Sequence, residues 1–327
     1  MKIKLKDSLS TRKTLILLSL FSILSALTCV LSDIALPGVV AFLTTLLCLE
    51  QGNNKKPYSF ATIVSILLIN VVSGLFIGQI LMFWGILAVA LAFIISRYIH
   101  KDGNKMECVF VCTIIYSFFI VLSLAALAVT FGGATDVKEI MEFYGSISEI
   151  VKEYFVSYMN YFLSLGYFAS ELEITTDMLL EIYDILVSNV ISYIVIASFL
   201  MTIASIKLFK AIAFKCADNR KHILEWKFAT PSLYAYFFVI LAIATIFATD
   251  SSTVFTVCVS NLYNIFKAVY AYAGITFVYN LLTKKMKGIF AILIIGGAII
   301  TLSVYVFEVL AIFGAFFTIR KNKQITV

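Results

Sequence analysis

Charged residues are scarce in this sequence. They make up 13% of its 327 residues, against about 25% in soluble domains, whereas apolar residues make up 61%. Several apolar stretches reach the roughly 20 residues that a helix needs to cross the hydrocarbon core of a bilayer. Because most of these stretches carry no charged face, a soluble domain is excluded. The composition predicts an all-α, polytopic integral membrane helical bundle.

Sequence motifs of common catalytic and nucleotide-binding sites are also absent. The chain has no G-x-x-x-x-G-K-[ST] loop, no H-E-x-x-H and no G-x-S-x-G, which excludes a P-loop nucleotide site of its own and disfavours a membrane enzyme. Its two histidines, His100 and His222, fall in basic gaps between apolar stretches. The six cysteines form no C-x-x-C pair, so no disulfide framework is expected. We therefore expect no catalytic residue, no cofactor and no metal.

The charges that remain are distributed asymmetrically. Twenty-two of the 25 Lys and Arg residues fall in short polar gaps on one side of the apolar stretches, and ten of the 19 Asp and Glu residues fall in one segment, 134–188, on the other side. Basic loops stay in the cytosol. This predicts a multi-pass protein of the bacterial cytoplasmic membrane with both termini cytoplasmic. The dispersed basic residues indicate lipid headgroups as partners and no nucleic acid.

About 8–10 membrane segments are expected. Spans one to eight are predicted at 14–31, 34–49, 58–99 (a hairpin of two spans turning near Gly78-Gln79), 108–131, 190–207, 232–249 and 254–282. The last apolar stretch, 289–317, would place Arg320, Lys321 and Lys323 outside if it formed one helix. A hairpin of two short helices keeps these cations inside, so the charge bias favours ten segments. The predicted parts are 1–131 with five spans, 132–188 outside the membrane, and 189–327 with spans six to ten.

The acidic segment between spans five and six predicts amphipathic extracytoplasmic helices. Apolar residues recur every three or four positions from Val137 to Phe162, with glutamates between them. This pattern indicates one helix, or two if the chain breaks at Gly145. A second helix is expected to begin near Thr175 or Thr176, either of which suits an N-cap. These helices would cover the bundle, or act as a lid over a site.

Two charged residues lie well inside predicted spans, Lys267 in span eight and Glu308 in the last stretch. A charge at mid-bilayer costs about 2.5–3.5 kcal/mol on insertion scales, so we expect the two to pair. The alternative is that Glu308 lies at the turn of the hairpin, exposed to outer water. Asn261, Asn264 and Lys267 are spaced by three and form a polar stripe that Tyr270 continues. Such a stripe faces other helices or a water-filled cavity. It indicates either hydrogen bonds between helices or the floor of a substrate pocket, with Asn70 and Gln79 as weaker candidates.

Several positions together resemble the YybS-like family of bacterial membrane proteins, known only as a domain of unknown function. They are Trp226 with Pro231, Asn261-Leu262 followed by Ala273-Gly274-Ile275, and Ile312-Phe313-Gly314 with Arg320-Lys321. The N-terminal half is similar to substrate-binding components of energy-coupling-factor transporters. That resemblance implies capture of a small molecule and docking onto a separate ATPase, for which Ser22-x-x-x-Ala26 stands where those components have Ala-x-x-x-Ala.

The sequence thus predicts a small-molecule binding or transport component without its own ATPase. Asn261, Asn264, Lys267 and Glu308 are its predicted substrate-binding groups, and a separate transport or regulatory protein would be its partner. The alternative is a non-transporting scaffold or regulator that works through the inner loop 207–227 or the outer amphipathic helices.

Overall fold

The computed structural model describes residues 11–29, 33–53, 57–76, 80–101, 104–165, 175–216, 232–247 and 253–323. Within these ranges the chain is helical and contains no strand, which confirms the all-α prediction. A short 3-10 turn, Asp33–Ala35, precedes α2. The helices are α1 (Thr11–Cys29), α2 (Leu36–Asn53), α3 (Pro57–Phe76), α4 (Ile80–His100), α5 (Lys105–Gly132), α6 (Val137–Ser164), α7 (Thr176–Ser188), α8 (Val190–Cys216), α9 (Ser232–Phe247), α10 (Val254–Leu282) and α11 (Gly288–Lys323).

Six of these helices are long and apolar enough to cross a membrane: α1, α3, α4, α5, α8 and α10. Shorter apolar stretches lie in α2 and α9, and at 288–298 and 306–318 within α11. The outward faces of the long helices are apolar as well, since Leu24, Phe60 and Phe118 are each more than half exposed. Large exposed apolar faces suit lipid and not water. The chain is therefore a polytopic helical membrane protein.

The helices divide into two compact units. The first contains residues up to Glu173 together with Ala197–Phe228, and the second contains Ile174–Ile196 together with the residues from Ala229 onwards. The division thus passes through α8 and separates α6 from α7. The three-part organisation predicted from the sequence stays a prediction.

In the first unit, α2 is the central helix. Nearly every residue from Leu36 to Glu50 is buried, and α1, α3 and α4 pack around it. Thr44 and Thr45 are buried too, and their hydroxyls donate to the backbone carbonyls of Val40 and Ala41 at 2.6 and 2.8 Å. A helix that is apolar on all sides belongs inside a bundle, and the two threonine hydroxyls are satisfied within the helix itself.

Glu50 joins α2 to α3. Its side chain is 1% exposed, and its Oε1 accepts a hydrogen bond of 2.8 Å from the backbone N–H of Ser59 in the first turn of α3. Pro57 begins α3, at a position where the missing N–H costs nothing. The separate helices α3 and α4 confirm the predicted hairpin in 58–99, although residues 77–79 lie outside the described part of the chain.

The acidic segment forms the helices that the sequence predicts. Asp136 caps α6 by accepting a 2.8 Å hydrogen bond from the N–H of Glu139, while Glu139 accepts one of 2.6 Å from the N–H of Thr135. The helix continues through Gly145, so a break at that residue is wrong. Thr175 caps α7 as predicted, because its hydroxyl accepts from the N–H of Met178 at 3.3 Å.

In the second unit, α10 and α11 approach backbone to backbone at two glycines. A Cβ on Gly274 would collide with the backbone carbonyl of Leu310, and a Cβ on Gly314 would collide with the carbonyl of Tyr270. Gly274 therefore faces Leu310, four residues before Gly314, and Gly314 faces Tyr270, four residues before Gly274. Small residues at a crossing allow this approach in membrane helices.

The contacts of α11 also show the direction of its second half. Lys267 pairs with Glu308, Gly274 meets Gly314, and Phe277 stacks on Phe317 at 3.6 Å between ring centroids. Residue numbers rise together along both helices, so this part of α11 runs parallel to α10. Only five residues separate α10 from α11, and a straight helix starting there would run back along α10 in the opposite sense. The chain must therefore reverse direction between the apolar stretches 288–298 and 306–318, within the helical residues Gly288–Lys323, and this supports the predicted hairpin.

Candidate functional site

Lys267 and Glu308 form an ion pair, as the sequence predicts. The Lys267 Nζ lies 3.7 Å from the Glu308 Oε1, and the side chains are 23% and 43% exposed. Lys267 also lies over the ring of Tyr263, at 5.2 Å from its centroid, where the face of the ring attracts a cation. The parallel crossing of α10 and α11 brings the two charges together, because both precede their glycine by one to two turns.

Asn261 joins three helices. Its Oδ1 accepts a 2.8 Å hydrogen bond from the backbone N–H of Ser192 in the first turn of α8. Its Nδ2 donates to the carbonyl of Ser188 at the end of α7, at 2.8 Å, and to the carbonyl of Val257 at 2.9 Å. A helix end leaves several backbone groups without partners, and Asn261 satisfies one such group on each side of the corner between α7 and α8.

Asn189 is the centre of this corner, although no pattern in the sequence predicts it as a site residue. It is 4% exposed and occupies the single position between α7 and α8. Its Oδ1 accepts hydrogen bonds from the Asn264 Nδ2 at 2.9 Å and from the Ser260 hydroxyl at 3.0 Å. Its Nδ2 donates to the carbonyl of Ile185 at 2.8 Å. An asparagine between two apolar runs is typical of a loop. The preference of Asn for helix ends is the one sequence signal that indicates hydrogen bonding at this junction.

The predicted stripe on α10 therefore divides into two groups. Asn261 and Asn264 bind the α7–α8 corner, whereas Lys267 pairs with Glu308 on α11. Tyr270 is fully buried against α9 and α11, beside Phe238 at 5.3 Å between ring centroids. Its hydroxyl has no hydrogen-bond partner among the residues that the structure describes. The stripe thus combines hydrogen bonds between helices with an ion pair and one unsatisfied hydroxyl.

The weaker candidates in the first unit fit a structural role. Asn70 is 4% exposed, and its Nδ2 donates to the carbonyl of Ile66 at 2.8 Å. A Cβ on Gly85 would lie 2.6 Å from the Asn70 Cγ, so the surroundings are closely packed. Gln79 and most of the basic inner loop, including Trp226, lie outside the described residues.

The fold and the charges within it define a polytopic α-helical membrane protein. A family described as predicted membrane protein, DUF2232, matches residues 14–316. Since the match covers most of the chain, the chain belongs to this family of unknown function. Searches of curated proteins and of solved structures gave no match.

Proposed function

We propose that this protein is a small-molecule binding or transport component of the bacterial cytoplasmic membrane, without an ATPase of its own. The Lys267–Glu308 pair carries this proposal. Two charges on apolar helices are costly, at about 2.5–3.5 kcal/mol each on insertion scales, and charged residues in such positions commonly serve a ligand or ion pathway. The contact is a single one of 3.7 Å, and Glu308 is 43% exposed, so its carboxylate has surface left for a ligand.

The remaining polar groups take supporting places in this proposal. The buried Tyr270 hydroxyl, three residues beyond Lys267, can hydrogen-bond a ligand that enters between the helices. Asn261 and Asn264 hold α10 against the α7–α8 corner and would position Lys267, although the sequence predicts them as direct ligand groups. The resemblance to YybS-like proteins and to substrate-binding components of energy-coupling-factor transporters is consistent with capture of a small molecule for a separate partner protein.

The orientation is part of the same proposal. With α11 reversing direction, Arg320 and Lys321 return to the side of Lys284 and Lys285. Both termini then lie in the cytoplasm, with the acidic helices outside. Cysteines introduced one at a time into 139–181 or 216–226, in a chain whose native cysteines are replaced, test this orientation in intact cells. An impermeant thiol reagent should label the first segment and not the second.

Mass spectrometry of small molecules retained by the purified protein tests the function. Wild type should retain a ligand, whereas the double variant with Lys267→Met and Glu308→Gln, which leaves neither charge unpaired, should lose it while keeping its helical content and thermal unfolding. Lys285→Met is the matched control, because it removes an exposed cation at the basic end of α10, and it should retain the ligand. If the double variant retains the same molecule as wild type, the pair is not the binding site.

A membrane scaffold or regulator is the second candidate, and the exposed acidic face of α6 favours it. Lys138 and Glu142 are 84% and 65% exposed, and no residue of α6 is fully buried. A scaffold should tolerate Lys267→Met and lose partner capture when Glu142, Glu149 and Glu153 are changed to Lys. A transport component should show the reverse pattern.

A further inference from the structure

Helix α6 carries a wide apolar face, much of which is exposed in the part of the chain that the structure describes. Val137, Tyr144, Val151 and Tyr158 alternate with Ile140, Ile147, Tyr154 and Tyr161 at steps of three and four. Val151, Tyr154, Tyr158 and Tyr161 are all about half exposed or more. The six charged residues of the helix (Lys138, Glu139, Glu142, Glu149, Lys152 and Glu153) all fall on the opposite side. This face is large enough to require an explanation, since exposed apolar patches of this kind mark interaction sites.

The beginning of α6 shows what the apolar face is directed toward. The Tyr144 hydroxyl donates a 2.6 Å hydrogen bond to the carbonyl of Leu124 in α5, and Phe143 packs against Gly132 at the end of α5. Since α5 is a candidate membrane span, the apolar face of α6 is directed toward the end of a helix that lies in the bilayer. Four residues separate the two helices, with Gly133 turning the chain at a φ of 65°.

The exposed continuation of this face points in nearly the same direction. A repeat of seven residues drifts by only about 20° per heptad on an α-helix. Val151, Tyr154 and Tyr158 therefore lie on the same side of α6 as Tyr144. At the end of α5, Val129 and Phe131 are also exposed, so the apolar surface of the span continues onto α6 through Val137 and Met141.

The composition of α6 favours a lipid surface over a second helix. In two-stranded coiled coils the positions beside the seam carry the charges that pair with a partner. Here the flanking positions hold Met141, Phe143, Ile150, Phe155 and Phe162, together with serines. The apolar face is thus about half of the helix circumference, which fits a helix lying in the plane of the membrane interface, and Tyr is enriched at such interfaces.

We propose that α6 lies on the bilayer surface at the end of α5, with Val151, Tyr154 and Tyr158 in the lipid headgroup region. Its charged side carries two lysines and four glutamates, so attraction to anionic lipid does not hold it there. The apolar face alone does so, and the association should not depend on the fraction of anionic lipid.

Photo-crosslinking of the full chain in lipid vesicles tests this placement. The photoreactive amino acid p-benzoylphenylalanine replaces Tyr154 or Tyr158 in one set and Glu153 or Asn160, on the charged side, in the matched set. Vesicles of phosphatidylcholine, alone or mixed with phosphatidylglycerol, provide the lipid. We expect several-fold more lipid adduct at 154 and 158 than at 153 and 160, at equal levels in both vesicle types.

Three results would overturn the proposal. Crosslinks from 154 and 158 to a second copy of the chain would identify the face as a homodimer seam. Crosslinks within the same chain would show that α6 covers the bundle. Equal lipid adduct at all four positions would show that the helix has no fixed side toward the bilayer. Because each substitution is at an exposed position, helical content and elution of the purified protein provide the check that the chain is folded.

Discussion

Helices α2 and α10 both carry buried polar groups, but they satisfy them in opposite ways. The hydroxyls of Thr44 and Thr45 bond carbonyls four residues earlier in α2 itself. Asn261 and Asn264 in α10 bond residues about 70 positions away at the α7–α8 corner. The two threonines therefore do not specify which helix packs beside them, and in α2 that role falls to Glu50, which bonds α3. The arrangement in α10 fixes which helix ends meet, because it holds α10 against the corner between α7 and α8.

This difference predicts where substitutions are costly, and the largest effect is expected at the glycine crossing. Gly274→Ala introduces a methyl group against the backbone of Leu310, which cannot rotate away as a side chain can. Overpacking of this kind costs roughly 1–3 kcal/mol or more. Thermal unfolding in detergent should therefore show a clear loss of stability for this variant.

Gly296→Ala provides the control for the glycine crossing. Nothing lies within 4 Å of the added methyl group, and alanine favours a helix over glycine by about 1 kcal/mol. Its stability should equal or exceed that of wild type. If Gly274→Ala and Gly296→Ala unfold at the same temperature, the close approach of α10 and α11 is contradicted.

A smaller but distinct loss is expected for Asn261→Leu. The substitution removes the hydrogen bonds to the Ser192 N–H and the Ser188 carbonyl. Because only the Ser192 end is fully buried, the expected cost is that of one unsatisfied buried group, about 1–3 kcal/mol. Asn280→Leu, at an exposed position of the same helix, should change stability little. Chemical unfolding measures the loss in free energy of unfolding for both variants. Equal losses would contradict the conclusion that Asn261 stabilises the contact between α10 and the α7–α8 corner.

The smallest effect is expected for Thr44→Val in α2. The hydroxyl is the only group lost, and the Val40 carbonyl that it bonds already lies within a helix. Since the change keeps the side-chain shape, we expect a loss of less than about 1 kcal/mol. A loss as large as that of Asn261→Leu would mean that local and long-range polar contacts do not differ as proposed.

Sequence patterns were sufficient to predict the helices and one contact of the candidate site, the pair of Lys267 and Glu308. Apolar runs located the spans, the preference of Thr for an N-cap placed the start of α7, and the cost of isolated charges paired Lys267 with Glu308. These signals are local, or follow from the bilayer as solvent.

Contacts between distant parts of the chain were not predictable in the same way. Asn189 lies between two apolar runs, where an asparagine indicates no more than a loop. Glu50 follows the end of an apolar run, where a carboxylate is normally exposed at the membrane edge, so its burial against α3 was not predictable. Gly274 and Gly314 were noted as points of resemblance, but their spacing of 40 residues gives no sign that they meet. Their meeting depends on the reversal of direction within α11, which the charge bias suggested only indirectly.

The placement of Glu308 beside Lys267 depends on the second half of α11 running parallel to α10. Crosslinking with a short thiol-specific reagent, in a chain whose native cysteines are replaced, tests this directly. The pair Phe277→Cys and Phe317→Cys, whose rings stack at 3.6 Å between centroids, should crosslink efficiently, and Phe277→Cys with Phe307→Cys should not. Absence of crosslinking between Phe277→Cys and Phe317→Cys would show that the second half of α11 does not run parallel to α10 and would contradict the site.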